Sequence, residues 1–310
     1  MIIYQVFRPH LSRYFTANYL EREREELEGK LNSCEKIKYV GPDELPDLNL
    51  PTILITDTHF KADTSIPAAL WKKVILIIHP NSGHDNFPPH ILKEFNFPFI
   101  KGNILRAKAV AEYILTILFN HYNQVPRQQE WNRQMFNERF LLSEQKILLF
   151  GYGHIGKIIA QSLSPLIDEN NFFIVDPYKG NFPSAPKGVK FDAIVMACEL
   201  TEETMEMVNE TFFQEYFHEH SLLINAARGS LVKLDDLRKR AFDFPNNIYY
   251  LDVFPHEPRD LEKLKTYANI FCTSHLAGVY QNLDKETLSL IKKEIISFFQ
   301  LRPRDLLPHD

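Results

Sequence analysis

The chain has 310 residues, of which 45% are hydrophobic and 24% are charged, and its formal net charge is −5. This length is enough for two domains with separate cores, and the composition is that of an ordinary globular protein. The negative net charge disfavours a general nucleic-acid partner or an anionic membrane surface.

The cysteines and the N-terminal region predict the cellular setting. Three cysteines, Cys34, Cys198 and Cys272, have no metal-ligand spacing, so we expect reduced thiols, no metal site and a cytoplasmic location. Arg8 precedes any long apolar stretch, and no run approaches the roughly 20 apolar residues of a membrane span. We therefore expect neither a signal peptide nor a membrane partner.

The first hundred residues alternate between strand-like and helix-like segments. A strand is predicted over 2–7, and residues 17–31 carry leucines at helical spacing around a charged run that is typical of a solvated helix face. Further strands are predicted over 37–40, 52–56, 74–78 and 99–100. Such alternation predicts a parallel sheet with helices on its faces.

The rest of the chain repeats this alternation around a glycine-rich turn. An amphipathic helix is predicted around Val110 and Ile114, and a final helix around Leu288 to Phe298. Strands are predicted over 147–150, 172–175, 193–197, 222–225, 248–251 and 270–273. We expect an α/β protein of two Rossmann-like or flavodoxin-like domains with parallel sheets and an active site in the cleft between them. Residues 103–276 would form the cofactor domain, and 1–102 with 277–310 the substrate domain.

The glycine-rich turn predicts a dinucleotide site. Gly151, Gly153 and Gly156 follow the apolar run 147–150, and the next apolar run ends at Asp176, twenty positions after Gly156. The glycines permit a tight turn, the approach of a pyrophosphate and close helix packing, while the helix N-terminus offers free N–H groups. Asp176 can accept hydrogen bonds from both ribose hydroxyls and would repel a 2′-phosphate. The pattern therefore predicts NAD in preference to NADP.

Polar residues follow three of the later predicted strands. Arg228 follows 222–225, Glu257 follows 248–251, and His275 follows 270–273. In an open parallel sheet, ligands bind outside the carboxyl ends of the strands. Each residue alone also fits a structural role, but together they form a coherent candidate site beside the dinucleotide turn.

These motifs resemble those of the D-isomer-specific 2-hydroxyacid dehydrogenase family. The resemblance spans about residue 80 to 280 and is specific, because the matching stretches occur in the family's order and spacing. The first 75 or so residues agree only in their α/β alternation. The matching stretches are 110–112, 151–156, 200–204, 225–229, 251–254 with 257–258, and 275–278.

The resemblance implies a catalytic set of Arg228, Glu257 and His275. Arg228 would bind the substrate carboxylate bidentately. His275 would exchange a proton with the C2 oxygen as hydride passes to or from the cofactor. Glu257 would orient the imidazole and stabilise its protonated form. The implied substrate-binding residues are Asn81, Ser82, Gly83, Arg228 and His275.

The resemblance also implies cofactor contacts and some departures. Glu199 and Ser274 stand where relatives often carry proline; Glu199 would add a negative charge near the adenosine, and Ser274 would loosen the backbone before His275. Arg106 is either a solvated side chain or a second anion contact for an acidic or phosphorylated substrate. The implied cofactor-binding residues are Gly151, Gly153, His154, Ile155, Gly156, Asp176, Pro177, Ala197, Cys198, Thr204, Ala226, Ala227, Arg228, Asp252, His275 and Gly278.

Three functional interpretations remain open at the level of sequence. The leading one is an NAD-dependent oxidoreductase acting on a small D-2-hydroxy acid or 2-keto acid, assembled as a homodimer through the Val110 helix region. The alternative is a non-catalytic NAD(H)-binding regulator, similar to a corepressor, on the same fold. A formate dehydrogenase relative is disfavoured, because those relatives pair the histidine with glutamine, whereas Glu257 supports proton transfer.

Overall fold

The structure is a computed structural model. It describes residues 2–6, 25, 37–40, 47–57, 60–62, 65–81, 83, 87, 91, 93, 98–102, 104–123, 131, 139–179, 182 and 184–301. The chain divides into two compact units, a first unit of Met1–Arg106 with Tyr280–Asp310 and a second unit of Ala107–Val279. The helix predicted over 17–31 lies outside the described residues, apart from Glu25, which is helical.

The first unit contains a parallel sheet in the order β2-β1-β3-β4-β5. This order is that of flavodoxin-like sheets. Side chains alternate across β3, so Ile53 and Ile55 pack under the helix Leu283–Leu301 while Leu54 packs on the opposite face. The strands are β1 (Ile2–Val6), β2 (Ile37–Val40), β3 (Thr52–Ile55), β4 (Val74–His79) and β5 (Phe99–Lys101).

The second unit contains a parallel sheet in the order β11-β10-β9-β8-β6-β7. After β6 the chain adds β7 on one side and then β8 on the other, so the strand order reverses at β6. Such a reversal opens a crevice for ligands at the carboxyl ends of the strands. The strands are β6 (Ile147–Phe150), β7 (Phe172–Val175), β8 (Phe191–Met196), β9 (Phe217–Asn225), β10 (Ile248–Leu251) and β11 (Ile270–Cys272).

Helices cover both faces of this second sheet. Ile147 and Leu149 pack against helices α1 and α2 on one face, whereas Leu148 and Phe150 join an aromatic-rich cluster on the other. Fully burying one such side chain stabilises the fold by about 1.5–3 kcal/mol. The helices are α1 (Ala107–Tyr122), α2 (His154–Leu163), α3 (Glu210–Tyr216), α4 (Leu234–Asp243) and α5 (Arg259–Leu264).

The predicted fold class, α/β with parallel sheets, is confirmed. Strand bounds differ by a few residues, most at β9, which begins five residues before the predicted 222 because Phe217 already pairs with Phe191 of β8, ahead of a register shift. The Ser221 hydroxyl donates to the Phe191 carbonyl within this stretch. In the described part of the chain, no helix combines the length and apolarity needed to cross a membrane. The same residues contain no group of three or more His, Cys, Asp or Glu side chains arranged to hold a metal ion.

The two tryptophans of the chain lie one in each unit. Trp71, in the first unit, is half-buried, and its ring meets Phe60 edge-on at 6.5 Å between centroids. Trp131, in the second unit, is 91% exposed. The two indole rings therefore sit in very different environments.

Candidate active site and cofactor site

The glycine turn between β6 and α2 is lined by backbone. Gly151 has φ +99°, and a Cβ there would stand 2.5 Å from the Ala197 carbonyl oxygen. A Cβ on Gly156 would stand 2.0 Å from the Gly151 carbonyl oxygen. Neither position accepts a side chain, so the turn has the tight form that was expected for a dinucleotide site. Gly153 precedes the first residue of α2, and a Cβ there would have the Lys179 ammonium as its nearest neighbour, at 3.6 Å.

Asp176 follows β7 and is fixed by two backbone amides. One carboxylate oxygen accepts the Tyr152 N–H at 2.8 Å, and the other accepts the Tyr178 N–H at 3.1 Å. Asp176 is 9% exposed. A carboxylate offers about four acceptor positions, so it retains capacity for ribose hydroxyls. The Tyr152 bond ties the end of β7 to the glycine turn, a contact that the sequence did not reveal.

The remaining expected cofactor residues line the same carboxyl edge. Ala197 and Cys198 follow β8 and are half-buried, while Ala226 and Ala227 follow β9 and are buried. Burial raises the pKa of Cys198 to about 12, so its thiol stays neutral. His154 and Pro177 are exposed, Ile155 is half-buried and Gly278 is buried.

Thr204 closes a turn instead of presenting a free hydroxyl. Its Oγ1 donates to the Glu199 carbonyl at 2.7 Å and accepts the Thr201 N–H at 2.7 Å. The Glu199 side chain is exposed at this turn. The role of Thr204 that the structure displays is thus to shape the segment after β8.

His275 and Glu257 form a direct pair. The Nδ1 atom of His275 lies 2.9 Å from Oε2 of Glu257, and the side chains are 54% and 37% exposed. Because a carboxylate only accepts hydrogen bonds, Nδ1 carries the proton and Nε2 remains for proton exchange. The second Glu257 oxygen accepts the Phe254 N–H at 3.0 Å, which fixes the carboxylate.

The turn that carries His275 is organised by Asp252, which is 1% exposed. The Asp252 carboxylate accepts the Thr273 hydroxyl at 2.5 Å, the Leu276 N–H at 2.8 Å and the Ala277 N–H at 2.9 Å. Its carbonyl accepts the His275 N–H at 2.8 Å. Asp252 was expected to contact the cofactor; in the structure, both of its carboxylate oxygens bind this turn.

Arg228 occupies the loop after β9. Its Nη1 donates to the Ala227 carbonyl at 2.7 Å, and Asn225 braces the loop by donating to the Arg228 carbonyl at 2.9 Å. A Cβ on Gly229 would stand 1.9 Å from the Phe254 carbonyl carbon, so this loop rests on the segment leading to Glu257. Since β9, β10 and β11 are neighbours, Arg228, Glu257 and His275 follow adjacent strands at one edge of the sheet.

The expected substrate loop belongs to the first unit. Asn81 is buried, and the Gly83 carbonyl accepts Nε2–H of His79 at 2.7 Å. Nδ1 of His79 therefore accepts the Thr56 hydroxyl at 2.9 Å. These bonds hold the loop to the end of β4. Ser82 lies outside the described residues.

Arg106 is half-buried, which corrects its interpretation as a solvated side chain. Burial lowers the pKa of Arg106, while the nearby Tyr280 and Asp284 act in the opposite direction. From the sequence, Arg106 could be recognised only as a residue that precedes an amphipathic helix. Its proximity to Tyr280 and Asp284, far along the chain, could not be predicted.

Comparison with a protein-family model identifies the family of this chain. The NAD-binding domain of D-isomer specific 2-hydroxyacid dehydrogenases matches residues 114–277, more than half of the chain. The chain belongs to this family. The family and the NAD cofactor expected from the sequence are thus confirmed.

The names of curated relatives of this chain contain several different substrates. Erythronate-4-phosphate dehydrogenase of Idiomarina loihiensis is 28% identical over 211 residues, which cover 63% of this chain and 50% of the relative. Glyoxylate reductase/hydroxypyruvate reductase of Homo sapiens is 29% identical over 160 residues, which cover 48% of each chain. The match thus spans about half the length of these relatives.

Solved structures agree with the fold along the whole chain. The NAD+-bound 3-phosphoglycerate dehydrogenase of Entamoeba histolytica has a TM-score of 0.69 at 16% identity, covering 100% of this chain and 99% of that one. The NAD-complexed D-isomer specific 2-hydroxyacid dehydrogenase of Lactobacillus delbrueckii has a TM-score of 0.67 at 18% identity, covering 98% and 99%. These likenesses support the two-domain α/β fold.

The residues present fit NAD. The glycine turn leaves no room for side chains on the sheet side, and the Asp176 carboxylate keeps acceptor capacity beside it. The sequence missed two further groups, the Lys179 ammonium beside Gly153 and the Tyr113 hydroxyl, which lies 2.7 Å from Thr273 Oγ1. Thr273 directly follows a strand, so the expectation that polar residues at strand ends form sites would have identified it. Tyr113 is a half-buried tyrosine on a helix, and no local sequence signal marks it.

Proposed function

We propose that this dehydrogenase interconverts a small D-2-hydroxy acid and its 2-keto acid with NAD(H). The observation that supports the proposal most directly is the His275–Glu257 pair, 2.9 Å between Nδ1 and Oε2, at the sheet edge that also carries Arg228 and the glycine turn. When bound, NADH supplies the hydride.

Each side chain has a distinct task in the proposal. Arg228 binds the substrate carboxylate and polarises the neighbouring carbonyl. His275 donates a proton from Nε2 to the C2 oxygen during reduction and removes it during oxidation. Glu257 holds Nδ1–H, orients the ring and stabilises its protonated state. Asn81, Ser82 and Gly83 stay predicted contacts for the same carboxylate.

A non-catalytic regulator is disfavoured by this geometry. A regulator that only binds NAD(H) requires the glycine turn and Asp176 but no acid–base pair. A formate dehydrogenase relative is disfavoured for a similar reason, because its histidine needs no carboxylate partner. The fixed Glu257 carboxylate, which the Phe254 N–H also holds, supports proton transfer. We also propose a homodimer through α1, which exposes Phe119; light scattering of the purified chain tests it. The cytoplasmic location stays a prediction.

The decisive experiment measures NADH oxidation with a panel of 2-keto acids. The panel contains glyoxylate, hydroxypyruvate, pyruvate, phenylpyruvate, 2-ketoisocaproate and 3-phosphohydroxypyruvate, and NAD reduction is measured with 4-phosphoerythronate. We expect turnover of at least one compound, and activity confined to the phosphorylated ones would support Arg106 as a second anion contact. NADH binding without turnover of any would favour the regulator.

Two variants test the assigned chemistry. His275→Ala should lower kcat by about 10²–10⁴-fold while leaving NADH affinity intact, because it removes only the proton donor. Arg228→Lys should mainly raise KM for the keto acid, because an ammonium cannot reproduce the planar fork of a guanidinium. Loss of NADH binding in the histidine variant would show that His275 serves the cofactor site and not proton transfer.

A further inference from the structure

The backbone at His275 needs support from its surroundings. His275 has φ +54°, in the left-handed region that side chains with a Cβ rarely adopt. The residue before it, Ser274, is exposed and lacks the fixed φ that a proline would impose. The conformation of this turn must therefore be held by its hydrogen bonds.

Those bonds converge on Asp252 and continue to α1. Thr273 Oγ1 donates to the Asp252 carboxylate at 2.5 Å, and the Tyr113 hydroxyl lies 2.7 Å from the same Thr273 oxygen. A threonine hydroxyl has one proton, which is committed to Asp252. Tyr113 must therefore donate to Thr273, and a hydrogen-bond network runs from Tyr113 through Thr273 to Asp252.

Tyr113, the first residue of this hydrogen-bond network, is held in place by its helix. Tyr113 lies on α1 between the fully buried Ala111 and Ile114, which pack in the core of the second unit. A tyrosine hydroxyl is protonated at neutral pH and able to donate, and burial raises the pKa of Tyr113 further. Hydrogen bonds in such a network strengthen one another.

We propose that Tyr113 is a positioning residue for His275, acting through Thr273 and Asp252 to hold the histidine turn in register with Glu257. Its kinetic consequence rests on the proposed function, whereas its effect on the His275 ring does not. A displacement of about 1 Å in a reacting group can cost about 10²-fold in rate, so even partial release of this turn should be measurable.

The experiment compares Tyr113→Phe with Tyr250→Phe in the 310-residue chain. Tyr250→Phe removes a hydroxyl from the same unit, where the Tyr250 ring stacks on Phe271 at 4.8 Å between centroids. Nitrogen NMR of histidine-labelled protein reports the imidazole tautomer, and the spectrum of His275→Gln assigns the His275 signals. We expect one Nδ1-protonated form in the wild type and in Tyr250→Phe, and a tautomer mixture in Tyr113→Phe.

Kinetics provide the second readout with any keto acid that is turned over. Tyr113→Phe should lower kcat about tenfold while leaving KM and affinity for NADH unchanged. Because kcat is calculated per NADH-binding site, an unfolded fraction of the protein does not lower it. If the His275 spectrum and kcat of Tyr113→Phe match those of Tyr250→Phe, the proposal is overturned. The NMR result decides the question even if the wild type reduces no acid in the panel.

A second pair of variants tests the hydrogen-bond network from its middle. Thr273→Ser keeps the hydroxyl and should retain the wild-type His275 spectrum, whereas Thr273→Val removes it and should reproduce Tyr113→Phe. This pair keeps the proposal testable if Tyr113→Phe fails to fold. Identical His275 spectra for the serine and valine variants would contradict it.

Discussion

Replacing Gly229 by alanine should separate the two loops that carry Arg228 and Glu257. A Cβ at this position would stand 1.9 Å from the carbonyl carbon of Phe254, 2.3 Å from its oxygen and 2.4 Å from the Pro255 nitrogen. Contacts of a real Cβ below 3.0 Å essentially do not occur, so one backbone segment must move by at least about 1 Å. All three atoms are backbone, so no side chain can yield by rotating.

The expected cost follows from this displacement. Overpacking a tightly fitted site typically costs about 1–3 kcal/mol, so we expect the free energy of unfolding of Gly229→Ala to fall by about 2 kcal/mol. Because Arg228 moves with the loop, kcat/KM for the keto acid should fall by about 10²-fold. NADH affinity should fall less than kcat/KM, since the glycine turn and Asp176 belong to other strand ends and only the expected contacts at Ala226, Ala227 and Arg228 lie in the displaced loop.

The assay combines urea denaturation followed by far-ultraviolet circular dichroism with NADH-coupled turnover. Gly188→Ala is the matched control: among the described residues, no atom lies within 4 Å of its Cβ position, but φ is +74°. The control should lose about 1–2 kcal/mol through backbone strain and keep its turnover. Because the two expected losses of stability overlap, kcat/KM is the deciding measurement, and equal kcat/KM for the two variants would refute the packing argument.

Three further outcomes follow from other contacts. Asp176→Ala should raise NADPH affinity relative to NADH, because the repelling carboxylate is removed; an unchanged ratio of the two dissociation constants would exclude the ribose role. Lys179→Gln should weaken NADH binding about fivefold at low salt and less at high salt, because the ammonium near Gly153 would no longer attract the pyrophosphate. Burial raises the pKa of Asp260, but hydrogen bonds from the His256 N–H and a lysine outweigh it and lower the pKa. Wild type should therefore exceed Asp260→Asn in unfolding free energy above pH about 4 and lose that advantage as pH falls through the folded pKa; a constant difference between pH 3 and 7 would contradict this.

The sequence predicted those features that depend on local order along the chain. Apolar runs such as 147–150 and 248–251 are strands because buried parallel strands are apolar on both faces. Arg228, Glu257 and His275 follow neighbouring strands, so topology alone places them at one edge of the sheet. Asp176, the acidic residue after β7, and the glycine spacing could be predicted equally well, because both belong to one βαβ unit.

Contacts between distant segments were not predictable in the same way. Tyr113 reaches Thr273 across 160 positions of sequence, and a tyrosine on an amphipathic helix gives no sign of its partner. The Tyr152 N–H bond to Asp176 and the burial of Arg106 likewise depend on how segments pack. The last helix begins at Leu283, five residues before the first predicted apolar position, because its opening turn is acidic, with Asp284 and Glu286.

The placement of the two tryptophans determines what a fluorescence experiment can detect. Trp71 should shift its emission to longer wavelengths when the first unit unfolds, because it leaves the Phe60 contact for water. Trp131 is 91% exposed and should report almost nothing of the second unit. Comparing the emission transition with the circular dichroism transition therefore tests whether the two units unfold together, since curves that do not coincide exclude a single two-state event.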